Sequence, residues 1–342
     1  MKINLGEIDN IIILGGSWIT GEFIKVLKKE NFKTYLVSSS RHIDLISDEN
    51  KNTLREIAEE YQVPYLISKD INKDKKLRRL INKKTLGIGL GAAWSFSKDT
   101  VENFNGKLLD FMGIDLPRYR GGAHYTWQIL SRNKKGACNL QMVLGGTQEF
   151  HKGPIIKSGY YKYPKTCDTP EEYFKFAVKK EGNFLRSFLK EVKKGKIFNK
   201  TKLIENESTY YPFLNTLKHG WINWNWEGEE IFRFINSFGD PYEGASTYLN
   251  KKRVFIKKIK LIKNEEDFHP FHSGIVYRKN PKQIFVACVK NSLMIESIFS
   301  SNQKSIIKSI SEGDRFYTPT KKLEDALSFK AYYNNKGLKE NE

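Results

Sequence analysis

Apolar positions early in the chain come in short blocks whose period switches repeatedly. Ile11-Ile-Ile-Leu14 is a continuous apolar run closed by Gly15-Gly16, the pattern of a strand buried on both faces. Gly21 to Lys29 has helical periodicity, and Lys33-Thr-Tyr-Leu-Val-Ser38 reads as a second strand. A helix over Thr53 to Tyr61, a strand over Val63 to Ser68 and a helix over Asp74 to Asn82 follow. Leu86-Gly-Ile-Gly-Leu-Gly91 is a fourth strand, rich in glycine at its end. Strand and helix alternating in this way predict an α/β fold with a parallel-rich sheet. Such sheets present ligands at the carboxyl ends of their strands, so Gly15-Gly16 and Gly89 to Trp94 are the loops to watch. Neither G-x-G-x-x-G nor G-x-x-x-x-G-K-[ST] occurs, so the glycines read first as tight strand-to-helix turns.

From Thr169 to Lys194 the pattern is a long amphipathic helix, with Thr169 as N-cap, Pro170 at its first position and Glu171-Glu172 in its first turn. Beyond it, Trp221 to Asn236 reads as a turn and a helix. Short alternating strands then follow over Thr247–Leu249, Val254–Ile262, Gly274–Arg278, Gln283–Val289 and Ser292–Ile298, as in a small barrel or sandwich. The expected organisation is an N-terminal domain over 1–200, a linker over 201–220, a second domain over 221–330 and a tail over 331–342.

Charge changes this picture only in part. A net charge of +19 invites a polyanionic partner such as RNA, a membrane surface or a phosphorylated substrate, yet scattered Lys also simply solvates a surface. Lys251 to Lys263 holds seven bases and no acid, in the alternation of a strand with one basic face or of a Lys-guarded edge. The longest apolar runs fall far short of the roughly 20 residues that span a bilayer. Acids interrupt the first residues, and Cys138, Cys167 and Cys288 are scattered without metal-ligand spacing. A cytoplasmic protein with reduced thiols, without membrane or metal, is expected.

Four segments, in order, carry a family likeness: Leu116-Pro-Arg-Tyr-Arg-Gly-Gly-Ala-His-Tyr-Thr-Trp-Gln-Ile-Leu130, Gly153-Pro-Ile-Ile156, Phe238-Gly-Asp-Pro-Tyr-Glu-Gly-Ala245 and Gly313-Asp-Arg-Phe-Tyr-Thr-Pro319. The first resembles the L-P-x-[YN]-R-G-G segment of the 10-formyltetrahydrofolate-dependent formyltransferases, and the second their D-T-G-x-I-[IL] segment. The last two resemble the opening and closing segments of that family's second domain. The family includes methionyl-tRNA formyltransferase and N-formyltransferases of nucleotide-linked amino sugars. The resemblance implies a Rossmann-like catalytic domain followed by a domain related to the OB fold. It also implies attack of a primary amine on the formyl carbon of 10-formyltetrahydrofolate, with no metal and no covalent enzyme intermediate. Donors for the developing oxyanion and a proton acceptor are then required.

The family places an Asn and a His just before L-P-x-[YN]-R-G and an Asp at the start of D-T-G. Counting back from Leu116 and from Gly153, those positions hold Asp110, Met112 and His151. Asp110 replaces an amide donor with an acceptor, Met112 removes an imidazole, and His151 replaces an acid with a group that titrates near neutrality. Two readings follow. In one, Asp110 and His151 exchange carboxylate and imidazole in place, and backbone N–H groups or His124 meet the oxyanion. In the other, the pocket is no longer catalytic and binds a folate, a sugar nucleotide or RNA.

The resemblance further implies a pterin site at Gly89, Gly91 and Trp94, at the loop Gly145 to Phe150 with Gly146, and at Gly153. Arg118, Arg120 and Gly121 are candidates for the substrate, although the arginines can equally anchor their loop through carbonyls. His124 can instead cap a helix, Trp94 can cover the sheet, and His151 can sit in an ordinary surface loop. The tRNA-acting members grip the acceptor arm with a basic insertion after the second strand. Ser38 to Asn50, at that place, is short and not basic. A small amine, such as a nucleotide-linked amino sugar, is therefore the expected acceptor rather than tRNA.

Overall fold

The computed structural model describes residues 1–91, 94–146, 151–263, 265, 267–334 and 337–339. Ala92-Ala93 and Thr147–Phe150, both within the expected pterin loops, lie outside the described residues, as do parts of the tail. The N-terminal sheet has seven strands: β1 (Asn10–Gly15), β2 (Lys33–Ser38), β3 (Tyr65–Ile67), β4 (Thr85–Leu90), β5 (Leu108–Met112), β6 (Lys135–Met142) and β7 (Ile155–Lys162). Their order is β3-β2-β1-β4-β5-β6-β7, with β1 to β5 parallel and β6 and β7 antiparallel.

The apolar run in β1 has a simple cause. Ile11 and Ile13 face one core and Ile12 and Leu14 the other, because side chains alternate across a strand. Helices α1 (Trp18–Lys29) and α6 (Pro170–Lys193) cover the first face through Phe23, Ile24, Leu27, Leu185, Phe188 and Leu189. Helices α3 (Lys75–Leu80) and α4 (Lys98–Asn103) lie towards the second, which buries Leu77 and Phe104; α2 (Leu54–Glu60) packs beside α1. Thr169 caps α6 with a reciprocal Glu172 contact, and Pro170 opens the helix.

The second domain holds α7 (Gly228–Ser237), two four-stranded antiparallel sheets and α8 (Thr320–Ser328). One sheet has the order β14-β9-β8-β15, built from β8 (Ala245–Leu249), β9 (Lys252–Ile256), β14 (Ile298–Ser300) and β15 (Phe316–Tyr317). The other is β10-β13-β12-β11, built from β10 (Ile259–Ile262), β11 (Val276–Asn280), β12 (Gln283–Ala287) and β13 (Ser292–Ile295). The single strand expected over Val254–Ile262 is thus two strands in different sheets, parted at Lys257-Lys258. The expected strand over Ser292–Ile298 divides in the same way. Pairing partners, not local propensity, decide this.

The basic stretch is largely spent on internal contacts. Lys257 pairs with Asp240 at 2.9 Å, Lys260 with Glu296 at 2.9 Å and Lys263 with Glu229 at 2.8 Å. The Arg253 guanidinium stacks 4.0 Å from the Trp221 ring and donates to the Leu217 carbonyl and the Ser246 hydroxyl.

The segment over 201–220 is laid against the first domain. Tyr210-Tyr211 pairs in parallel with Arg120-Gly121, the Trp127 indole donates to the Pro212 carbonyl, and Thr209 Oγ1 accepts from Tyr119 N. The domains also meet where Thr126 Oγ1, on α5 (His124–Leu130), donates to the Ser237 carbonyl. No described helix is long and apolar enough to cross a membrane.

Candidate active site

Adjacent strand ends build the site. On β5, Asp110 and Met112 lie on one face, and Asp110 stands directly opposite Gln141 of β6. Gly89 makes room for that carboxyl: a Cβ there would lie 2.6 Å from Asp110 Oδ1. His151 reaches in from the loop between β6 and β7, in the left-handed conformation at φ 56°. Its Nε2 lies 3.7 Å from Asp110 Oδ2, and both side chains are largely buried. That is ion-pair range, longer than a direct hydrogen bond. The sequence places these residues 41 positions apart by number; the fold brings them face to face.

Arg120 fixes the His151 loop. Its guanidinium holds Glu205 at 2.7 and 2.9 Å, donates to Ser208 Oγ at 2.9 Å, and donates to the His151 carbonyl at 2.9 Å. Arg118 forms an exposed pair with Glu207 at 3.0 Å. Both arginines therefore clasp the 201–220 segment. Gly121 lies under the Tyr211 carbonyl, where a Cβ would overlap it. Gly153 packs equally tightly beneath the Met142 carbonyl, and its own carbonyl accepts from the Gln141 amide at 2.6 Å.

Burial sets the electrostatics. It pushes the Asp110 carboxyl up to about 7. It pulls His151 down to about 4, assisted by the nearby Arg120 and His124 charges. Between these values the pair holds one proton, on the carboxyl or shared as an ion pair; above about 7 it is empty. An acid and an imidazole so arranged form a proton acceptor matched to neutral pH.

Two cavities meet here, sharing Gly91 and Met112 in their walls. The first, of about 190 Å³, is bounded by Asp110, His151, Trp94, Phe96, Gly145 and Gly146. The second, of about 330 Å³, lies towards α1, α5 and α6 and is bounded by Trp18, His124, Tyr125, Phe174 and Glu181. Met112 also packs against Ile114, Leu116 and Ile155. His124 therefore faces the second cavity. It opens α5 after Ala123, which takes the cap position in a left-handed conformation. A backbone hydrogen bond at Tyr119 engages the ring, while burial pulls His124 down to about 4. Its Nε2 is buried without a hydrogen-bond partner among the described residues, so the bonded nitrogen is Nδ1. In that neutral tautomer Nε2 is an acceptor, and only a protonated ring would donate to an oxyanion.

A family model described as "Formyl transferase, C-terminal domain" matches residues 216–315. Methionyl-tRNA formyltransferase of Clostridium botulinum is 26% identical over 193 residues, which is 56% of this chain and 58% of that protein. The bifunctional polymyxin resistance protein ArnA of Wigglesworthia glossinidia brevipalpis is 27% identical over 190 residues, which is 54% of this chain and 26% of that protein. The sequence matches are thus to formyltransferases, through the C-terminal domain model over 216–315 and through each of these relatives over roughly half of this chain. The match therefore spans only about a quarter and somewhat over half of these two relatives' lengths.

Solved structures agree in fold. The N-formyltransferase of Helicobacter canadensis, in complex with folinic acid and dTDP-3-aminofucose, superposes with a TM-score of 0.61 at 16% identity, over 84% of this chain and 99% of that one. The sugar 3N-formyltransferase WlaRD, solved with dTDP and 5-N-formyl-THF, gives 0.60 at 17% identity, over 85% and 98%.

Two residues missed by the sequence reading stand at the site. Gln141 lines the first cavity beside Asp110, and no local pattern marks it, since strand register alone brings it there. Glu181 did leave a signal. It falls on the buried stripe of α6 with Tyr173, Ala177, Leu185 and Phe188, where a charged residue breaks the pattern.

Proposed function

We propose that the chain transfers a formyl group from 10-formyltetrahydrofolate to the primary amine of a small molecule, with Asp110 and His151 acting together as proton acceptor. The approach of these two side chains to 3.7 Å at the mouth of the first cavity carries this reading. It favours exchange of the acid and imidazole over loss of the catalytic set.

The first cavity suits the flat polar ring of a folate. It is walled by Trp94, Phe96 and glycine backbone, and the Trp94 indole Nε1 is buried without a hydrogen-bond partner among the described residues. The donor supplies an activated formyl carbon when bound. Everything else falls to the chain. The proton-free Asp110–His151 pair takes the proton that the attacking amine must lose. Gln141 spends one amide N–H on the Gly153 carbonyl and has a second to offer to a developing negative oxygen beside Asp110, where the family's Asn would have donated. Met112 and Gly91 form the apolar partition across which donor and acceptor meet.

The segment over 38–50 supports a small acceptor over tRNA. Two of its acids are tied to neighbouring cations, the exposed Asp44 to Arg55 at 2.8 Å and Asp48 to Lys25 at 3.4 Å, and Arg41 is its one Lys or Arg. The direct test incubates the purified chain with 10-formyltetrahydrofolate and a panel of amines and follows release of tetrahydrofolate. Amine-dependent release is expected. Folate binding without turnover on any amine, including amino sugars free and nucleotide-linked, would overturn the proposal in favour of a binding protein.

A further inference from the structure

Helix α6 carries an acid where its own geometry calls for an apolar residue. Glu181 is 5% exposed, yet no hydrogen bond or ion pair to its carboxyl is made among the described residues. Its Oε1 rests against Gly113, 2.5 Å from where a Cβ would stand, so the backbone there has made way for it. Burial pushes the group up to about 8, with no cation near enough to offset it. A buried, unpartnered carboxyl is costly to keep, because nothing replaces the water it has lost.

What surrounds Glu181 shows what would satisfy it. Aromatic rings of Trp18, Tyr125 and Phe174 pack together at the same cavity, with centroids 5.6 Å apart for Trp18–Phe174 and 4.4 Å for Tyr125–Phe174. Ring faces attract cations. His124 lines the same cavity, and its Nε2 is buried without a hydrogen-bond partner among the described residues. Among the described residues lining the cavity there is no Lys or Arg, so a diphosphate entering it would find no positive partner and one opposing acid.

We infer that Glu181 is a specificity-determining residue for the acceptor, which is a phosphate-free amine carrying a second cationic nitrogen held between Glu181 and the aromatic wall. This rests on the formyl-transfer reading for the placement of the first nitrogen, at Asp110 and His151. Gly113 lies just beyond the end of β5, three residues after Asp110, so their backbones are at most about 11 Å apart. That separation suits a short aliphatic diamine. A carboxyl kept protonated by burial ionises when such a cation arrives, which favours charged over neutral ligands.

Equilibrium titration of the full chain with putrescine, cadaverine, butylamine and thymidine diphosphate tests this, with heat as the readout. The diamines should bind about 10- to 100-fold more tightly than butylamine, the usual worth of one charge-assisted contact. Glu181→Gln, close in shape, should erase that preference and leave butylamine unaffected, while Glu181→Asp should keep part of it. Equal affinity for monoamine and diamine, a preference that survives Glu181→Gln, or tighter binding of thymidine diphosphate would each overturn the inference. Its failure is separable from failure of the catalytic proposal. Glu181-dependent diamine binding without formylation sinks catalysis alone. Formylation of a nucleotide-linked acceptor at unchanged rate in Glu181→Gln sinks this inference alone.

Discussion

The two cavities meeting at Gly91 and Met112 bury one acid each, and burial drives both in the same direction, Asp110 to about 7 and Glu181 to about 8. They differ in what faces the carboxyl. Asp110 looks across 3.7 Å at His151, so the two titratable groups face each other as a pair. Glu181 looks into a cavity of aromatic rings, with no base or cation paired to it among the described residues. Depth of burial alone thus distinguishes nothing: under the proposed function the partner makes one acid a proton-transfer group and leaves the other a binding group.

The largest effect that could break this distinction is on turnover. Asp110→Ala or His151→Ala should lower kcat/KM about 10²–10⁴-fold, and the double variant should fall little further, because the two act as a unit. If either single variant keeps full activity, the pair is not the proton acceptor.

The next effect is on stability and sharpens the contrast from the other side. Glu181 has a folded-state pKa raised from 4.5 to about 8, so the folded chain favours the protonated form. Its contribution is therefore intact below about 4.5 and is lost as pH rises through 8. Glu181→Gln should stabilise the protein by roughly 2–4 kcal/mol at pH 8 and by almost nothing at pH 4, read from denaturant melts at the two pH values. Asp110→Asn should gain less at high pH, since His151 shares its proton. A parent whose stability does not fall between pH 5 and 8 would contradict the unpartnered assignment of Glu181.

The smallest effects concern the clasp that aims His151. Arg120→Ala removes the bond to the His151 carbonyl and should reduce kcat about tenfold with little change in amine affinity. Arg118→Ala breaks only an exposed pair with Glu207 and should stay within about twofold. Equal losses in the two would mean that the 201–220 segment as a whole, rather than the loop contact, matters.

What could be read from residues alone divides along physical lines. The run Ile11–Leu14, the strand Lys33–Ser38 and the Thr169-Pro170-Glu172 cap depend on neighbours a few positions away, so their elements were legible. Val254–Ile262 has equally clear local alternation, but its halves pair with β14 and β13 in different sheets, which no local pattern records. At the site, Asp110, Met112 and His151 were legible only through spacing from Leu116 and Gly153. Gln141 depends on strand register and stayed hidden. Glu181 is visible in principle, as a break in the Tyr173-Ala177-Leu185 stripe, although the helical pattern stands without it. The commitment of Arg118 and Arg120 to Glu207 and Glu205 lies across some 85 residues of chain, beyond the reach of any motif.

The central claim is that an acid and an imidazole, exchanged in place, share the proton of formyl transfer. The pH dependence of kcat/KM for tetrahydrofolate release, in the parent and in Asp110→Asn, tests it most directly. The parent should gain close to tenfold per pH unit below about 7 and level off above it, as the pair empties of its proton. Asp110→Asn should lose that inflection along with most of its rate. A parent profile flat from pH 5 to 8, or an inflection near 7 that survives Asp110→Asn, would contradict it.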